Sequence, residues 1–479
     1  VDQVIKKTTD SGKDYWAYGG DFEDGSYDND SNFCANGLVA ADRSLNPHMY
    51  EVKKVYQPVA FKALDLSNGK IKITNKYDFK NLDHLKFTYE ISADGKIELS
   101  GDIESLDIGP GETQSLTFNL FSIIPKPDVE YFLTIKANLR NNERLLSKGH
   151  LIAWEQFRLP ISRLGAPLDP TGLPIVNIEK NNNLLFIYTD NFKVLFDTTN
   201  GFISGYEYRN EILLDSNIKP FFWRAPTDND LGNNMHDRCA VWKEAHNEIL
   251  LQSIDTVKIN NTFTIQTKFF HNETQCQLEI DYKVYGNGLV LIKQTLFPPL
   301  NPLPELPRYG MKMTLPERFK YIEWFGRGPH ESYWDRKSSA SIEKYKGNVW
   351  NQTYKYIRPQ ETGNKTDVRW MTLSDNKIGL LFKGFKTFDF SAHNYAYSIL
   401  DYEPNSQKHG KLDINKGKQI DVLIDYRQMG LGGDNSWGAR THLEYSLPID
   451  TTKYILEYAL VPFNKEDDIQ ELTRIHIEH

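Results

Sequence analysis

The sequence predicts a mainly β protein, and three observations carry that expectation. Apolar and polar residues alternate with period two in short stretches such as Lys70-Ile71-Lys72-Ile73-Thr74 and Phe87-Thr88-Tyr89-Glu90-Ile91-Ser92. Turn formers such as Asp94-Gly95 and Gly109-Pro110-Gly111 punctuate these stretches. Aromatic residues make up 13% of the chain, a richness that suits large β-sandwiches and also surfaces that stack on sugars.

The elements follow in order. Asn46-Pro47 is a helix start, with Asn able to cap and Pro at ease in the first turn. Met49, Val52, Val55 and Tyr56 then recur at helical spacing, which predicts an amphipathic helix over 47–57 ended by Pro58. From 58 onward the period is two. A hairpin at Ala93-Asp94-Gly95 and strands near 115–121, 130–140 and 153–159 predict an immunoglobulin-like antiparallel sandwich. Residues 160–174, with four prolines and two glycines, read as a linker. Strands are expected again at 184–189, 192–197, 263–270, 277–285, 288–296, 378–382, 419–425 and 453–461. Residues 223–247 and the tail after Asn464 read as helical or irregular. So much β structure implies one oversized antiparallel sandwich or two smaller ones.

Composition narrows the classes of function. A chain of 479 residues has room for roughly three domains. No apolar run is long enough to span a bilayer, and no signal-peptide pattern opens the chain, so no membrane partner is expected. A first residue of Val rather than Met reads as a piece of a longer protein. The net charge of −8 is spread out with no basic block, which argues against nucleic acid. Cys34, Cys239 and Cys276 are too widely spaced for a disulfide framework or a C-x-x-C metal site. No H-E-x-x-H, G-x-S-x-G or phosphate-binding glycine loop is present.

Four stretches could carry chemistry. YWAYGGDFEDGSYDNDSNFCANGLVAADR, residues 15–43, interleaves glycines with acids, amides and aromatics. It suits a loop lining a concave sugar site, although composition alone favours an ordinary irregular loop. Phe222–Asp230 and Trp324–Tyr333 gather aromatic, basic and acidic residues, which reads as loops knitted by their own Arg–Asp bonds. Gly430–Gly438 places glycines before a polar turn with Trp437 near its tip. That Trp either stacks on a sugar ring or folds back over the end of the sandwich.

Together, VDQ…WAYGGDF…FCANGLV…ADR, WRAPTDNDLG, WFGRGPHESYWDR, YIRPQETGN and GLGGDNSWG resemble the β-galactosidases of glycoside hydrolase family 2, over almost the whole chain. The resemblance implies the last strand and helix of a (β/α)8 barrel over 1–57, an immunoglobulin-like sandwich over 58–160, a linker over 161–174 and a galactose-mutarotase-like supersandwich over 175–479. It further implies a retaining hydrolase of terminal β-D-galactosides whose two catalytic glutamates lie upstream of Val1, so that this chain holds no catalytic residue and is inactive alone.

By the same resemblance Asn36 contacts the galactosyl hydroxymethyl region and helps hold sodium. Phe33 gives a carbonyl ligand to that sodium and a gating ring, Trp437 is a stacking platform, and Asp30, with Asn29, shapes the polar wall. The family uses sodium and magnesium, of which only part of a sodium site is expected here. The implied partners are a galactoside and either the rest of the barrel or a second copy of the chain. Two other classes stand beside this one. The first is a non-catalytic carbohydrate-binding or small subunit of a two-chain β-galactosidase. The second is a sugar mutarotase, for which His330, Glu331 and His393 show no recognisable arrangement. The compartment, cytoplasmic or periplasmic, is not written in the sequence.

Overall fold

The computed structural model describes residues 1–22, 35–120, 122–214, 216–402, 414–435 and 437–477. The chain forms two compact units: Val1–Met49 with Asp169–Ala340 and Tyr345–Ile469, and Tyr50–Leu168 with Ser341–Lys344 and Gln470–His479.

The smaller unit is a sandwich of two antiparallel sheets. Strands Val59–Asp65, Lys70–Asn75 and Thr113–Thr117 make one sheet, and Lys96–Ile103, Leu85–Ala93, Tyr131–Leu139 and Leu151–Arg158 make the other. Alternation decides which side chains go inside. Ile71 and Ile73 are fully buried between the more exposed Lys70, Lys72 and Thr74, and they join Val59, Phe87, Leu133 and Ile135 in one apolar core. The hairpin expected at Asp94-Gly95 is present, and both residues have positive φ, as a two-residue hairpin turn requires. Asn75 is fully buried as well, and its amide is satisfied by Lys80 O, Ile108 O and the Tyr77 N–H.

The predicted helix runs from His48 to Val55, but two expectations for it fail. Val55 and Tyr56 are exposed while Lys54 is buried, because the Lys54 ammonium bonds the Trp154 carbonyl and Glu155 and lies over the Trp154 ring. Nor does Asn46 cap with its side chain. Its oxygen accepts from the Tyr354 hydroxyl, and its amide donates to Asp2 and to Gly37 O.

The larger unit holds a five-stranded meander, Asn177–Asn181 through Glu211–Leu214, and a twelve-stranded antiparallel sheet. The central path of that sheet runs Arg308–Pro316, Gln419–Gln428, Ile378–His393, Tyr454–Asn464, Val290–Phe297. It is strongly curled. Tyr458 reaches Met311 Sδ at 3.4 Å and the Tyr309 and Tyr454 rings lie 5.7 Å apart, although two strands separate theirs in the sheet. The meander packs on the sheet through Phe196 against Tyr282 and Phe202 against Phe269, at 5.7 and 5.1 Å between ring centroids. Most of this core is one apolar cluster. Near one end of the sheet, however, it buries Arg224, Arg308, Glu331, Glu361, Lys365, Asp389 and Asp425.

Val1–Met49 contributes an antiparallel pair, Ile5–Thr8 with Asp14–Ala17, and a 3-10 turn at Gly19–Phe22.

Candidate active-site cleft

A cleft of about 990 Å³ lies within the larger unit. The N-terminal segment lines it with Asp2, Trp16, Asn36, Asn46 and His48, and the large sheet's loops with Asp228, Glu331, Asp335, Tyr354, Tyr356, Glu361 and Asn435. Such a surface of amides, carboxyls and phenols around a few aromatic faces has the chemistry that binds polyhydroxylated ligands.

The backbone of one residue, Gly37, fixes the Asn36 side of the cleft. The Gly37 N–H donates to Asp2 Oδ1 at 2.6 Å, and Gly37 O accepts from Asn46 Nδ2 at 2.7 Å and lies 3.0 Å from His48 Nε2. Burial first, and then the nearby Arg336 charge, push the His48 pKa below the ordinary histidine value. Tyr354, bonded to Asn46, packs edge-on against Tyr356 with centroids 4.8 Å apart, and Tyr356 donates to Glu331.

The two glutamates of the cleft are saturated. Glu331 Oε1 receives Arg336 and Tyr356, and its Oε2 receives the Thr362 hydroxyl and the Gly363 N–H. Burial acts to raise its pKa, but Arg336 and the donors from Gly363 and Tyr356 outweigh it and hold the group below its usual range. Glu361 Oε1 receives Tyr333 and Gln428, and its Oε2 receives Arg308 and Tyr397. Each carboxylate thus has all its acceptor sites filled, which suits a rigid wall and leaves neither group a free oxygen for acid or nucleophile duty.

Of the two stretches read as self-knitted loops, Phe222–Asp230 is one, whereas Trp324–Tyr333 begins inside the strand Tyr321–Gly328 and its Arg327 pairs with an acid on another strand. Arg224 grips Asp230 through two bonds at 3.0 and 2.7 Å, and Thr227 and Asp230 form a capping box. Arg327 bonds Asp367 at 2.6 Å.

The sequence candidates fall as follows. Asn36 lines the cleft. Trp437 is 89% exposed and not folded back over the sandwich; its backbone N–H donates to Oδ1 of the cleft residue Asn435 at 2.9 Å. Phe33, Asp30 and Asn29 lie outside the described residues. Asn36 offers one hard oxygen of the kind sodium accepts, while the other expected donor, the Phe33 carbonyl, is among those undescribed residues. Among the described residues no group of three or more His, Cys, Asp or Glu stands together as a metal site. Sequence reasoning passed over Asp2, Asn46, Tyr354, Glu331 and Glu361 as cleft residues. Asp2, Glu331 and Glu361 sit in motifs it quoted, so the sequence marked the right segments without marking the side chains.

Comparison with known proteins decides the family. Residues 188–460 match the family model for the beta galactosidase small chain. The chain belongs to the β-galactosidases of glycoside hydrolase family 2. Residues 71–160 match domain 4 of these enzymes, and residues 1–61 match the family's TIM barrel domain. Among its relatives, the beta-galactosidase of Priestia megaterium is 37% identical over 449 residues, covering 93% of this chain and 42% of that protein. Those of Psychromonas ingrahamii and Vibrio cholerae are 32% and 31% identical, each covering 93% of this chain and 43% of that protein. The chain therefore spans well under half the length of these family members. A solved galactose 1-epimerase from Lactobacillus acidophilus aligns over 61% of this chain and 99% of its own, at 9% identity and a TM-score of 0.35, a likeness too slight to argue from.

Proposed function

We propose that this chain is the C-terminal portion of a retaining β-galactosidase. It supplies galactose-binding and site-completing residues, and the two catalytic glutamates come from elsewhere in the longer protein. The observation that carries this reading is the cleft, which brings Asn36 from one end of the chain together with Asn435 from the other while its own glutamates are fully engaged. A hydrolase of this kind needs two carboxyls about 5–5.5 Å apart and free to act, one protonating the leaving oxygen and one forming the glycosyl intermediate. Glu331 and Glu361, held by Arg, Tyr, Gln and backbone donors, do not answer that description. In the same reading Asn36 holds the sugar and lends its oxygen to sodium, with Phe33 and Asp30 completing the wall.

A second reading, a small subunit that pairs with a barrel-bearing chain, is favoured by the match of residues 188–460 to the small-chain model. Both readings predict that the isolated chain releases no nitrophenol from a nitrophenyl β-galactoside, and turnover above blank would overturn them. Mixing the chain with a separately made N-terminal portion discriminates between them: restored activity supports the subunit reading, and its absence supports the single chain. In the longer protein Asn36→Ala is expected to weaken galactose binding and sodium dependence together. Loss of neither would remove Asn36 from the site.

A further inference from the structure

Asp335 sits at the tip of a tight two-residue turn. Tyr333 and Arg336 exchange both backbone hydrogen bonds, each at 2.9 Å, and leave only Trp334 and Asp335 between them. Every neighbour of that turn is anchored. Arg336 bonds Glu331, the Tyr333 hydroxyl bonds Glu361, and Trp334 lies against the Tyr445 ring and under the Arg427 guanidinium. The Asp335 carboxylate is therefore presented at a set place on the cleft wall.

What it meets there is the base of the loop that carries Asn435 and Trp437. Oδ1 accepts the Leu431 N–H at 2.9 Å, and Oδ2 accepts the Gly432 N–H at 2.8 Å. Two successive amides on one carboxylate make a charge-assisted clamp. Gly430 allows it, since a Cβ at that position would fall 2.6 Å from Asp335 Oδ2. The same base is held from behind by Arg224, which donates to Met429 O and Gly430 O, and from the side by Asn229, which donates to Leu431 O. Thr441 closes the neck by donating to Gly430 O at 3.0 Å. Beyond the base, the order passes to Asn435, whose Oδ1 receives the Trp437 and Ala439 N–H groups.

We propose that Asp335 is a positioning residue for substrate recognition: its carboxylate fixes the Leu431 and Gly432 amides, and so sets where Trp437 and Asn435 meet a galactoside. This rests on the reading of the cleft as the galactoside site. A positioned aromatic platform adds affinity because less conformational freedom is lost on binding, so removing the clamp acts on substrate affinity more than on the chemical step.

The test uses the full-length enzyme and o-nitrophenyl β-galactoside, comparing Trp437→Ala, Asp335→Ala, Asp335→Asn and the double variant Asp335→Ala/Trp437→Ala. Trp437→Ala is expected to raise KM about two- to twelvefold, an aromatic contact of ~0.5–1.5 kcal/mol converted at ~1.4 kcal/mol per decade, with kcat little changed. Asp335→Ala is expected to raise KM by a similar factor, Asp335→Asn by less because one acceptor oxygen remains, and the double variant by no more than the larger single change. Amide hydrogen exchange should accelerate at Leu431 and Gly432 in Asp335→Ala. The proposal is overturned if exchange at those amides is unchanged, or if Trp437→Ala raises KM and Asp335→Ala does not. An unchanged KM in Trp437→Ala overturns instead the placing of this loop at the sugar site, and the positioning role with it. Accelerated exchange would then show that the clamp is real but serves only the fold.

Discussion

The two units of this chain differ in what they bury beside their apolar side chains. The smaller sandwich is closed by Val59, Ile71, Ile73, Phe87, Leu133 and Ile135, and its buried Asn75 spends its amide on backbone groups of neighbouring loops. The larger unit buries Arg308 completely, between Glu361 and Asp425, each 3.2 Å away. A core of the first kind is stabilised by area removed from water, and any well-shaped apolar set will serve. The second kind costs desolvation of every charge, and replacing such groups by apolar ones is often neutral or stabilising. A buried ionic cluster therefore signals something other than stability. Here it backs the cleft, because Glu361 faces the cleft on one side and Arg308 on the other.

The largest expected effect tests that difference directly. Arg308→Met leaves Glu361 and Asp425 buried without their cation, and urea unfolding should show a loss of about 3–5 kcal/mol. Burial already pushes Asp425 well above the usual carboxylate range despite Arg308, with Asp389 adding to the rise, so a second change, Asp425→Asn, should recover part of the loss. A cost for Arg308→Met below about 1 kcal/mol would mean that the cluster is hydrated and not a core.

A pH experiment comes next in size. Asp389 and His393 lie on the same strand, Ile378–His393. Burial, and then the neighbouring Asp367, push the Asp389 pKa from 3.8 up to about 7, so this group makes the fold lose stability as pH rises from about 4 to about 7. Burial, followed by Arg308, pushes His393 from 6.5 down to about 3, so this group makes the fold lose stability as pH falls from about 6.5 to about 3. The two slopes oppose one another across nearly the same interval. Asp389→Asn removes one of them, and the variant should lose stability on acidification from pH 6.5 to 4.5 more steeply than the parent, by up to about 1.4 kcal/mol per pH unit. Identical slopes in urea titrations at the two pH values would show that these groups do not stay buried as placed.

How much of this was legible in the sequence follows the same division. Strands with one wet face announce themselves by alternation, and the stretches at 192–197 and 277–285 match Phe192–Asp197 and Gln277–Tyr285 to the residue. Arg308–Pro316 and Lys365–Ser374 were passed over because both of their faces are largely buried and carry Arg, Lys and Thr as well as apolar residues. Ile249–Ile259 was hidden by a bulge between Leu251 and Ser253 that breaks its alternation. The cleft was legible only in outline. Family resemblance supplied Asn36, and the glycines around Trp437 marked a loop without deciding whether its Trp is exposed or folded back. Arg336 is the one local partner of Glu331, whose other donors come from 356, 362 and 363, and Glu361's partners come from positions as distant as 308, 397 and 428, so the saturation of neither could be read locally.

The smallest effect gives the comparison its baseline. Ile73 is fully buried in the smaller sandwich, on a strand that pairs with Val59–Asp65 on one side and Thr113–Thr117 on the other. Ile73→Val removes one methylene, for an expected cost of about 0.5–1.5 kcal/mol. Its core neighbours Val59, Ile71, Phe87, Leu133 and Ile135 are all apolar, so that cost should be the same at pH 5 and pH 7 by urea unfolding, in contrast to Asp389→Asn. Should the cost differ between the two pH values, titrating groups must reach this core too, and the contrast between a pH-indifferent apolar core and a pH-sensitive cleft wall would fail. Agreement at the two values would instead show that the core around Ile73 is beyond the reach of titrating groups.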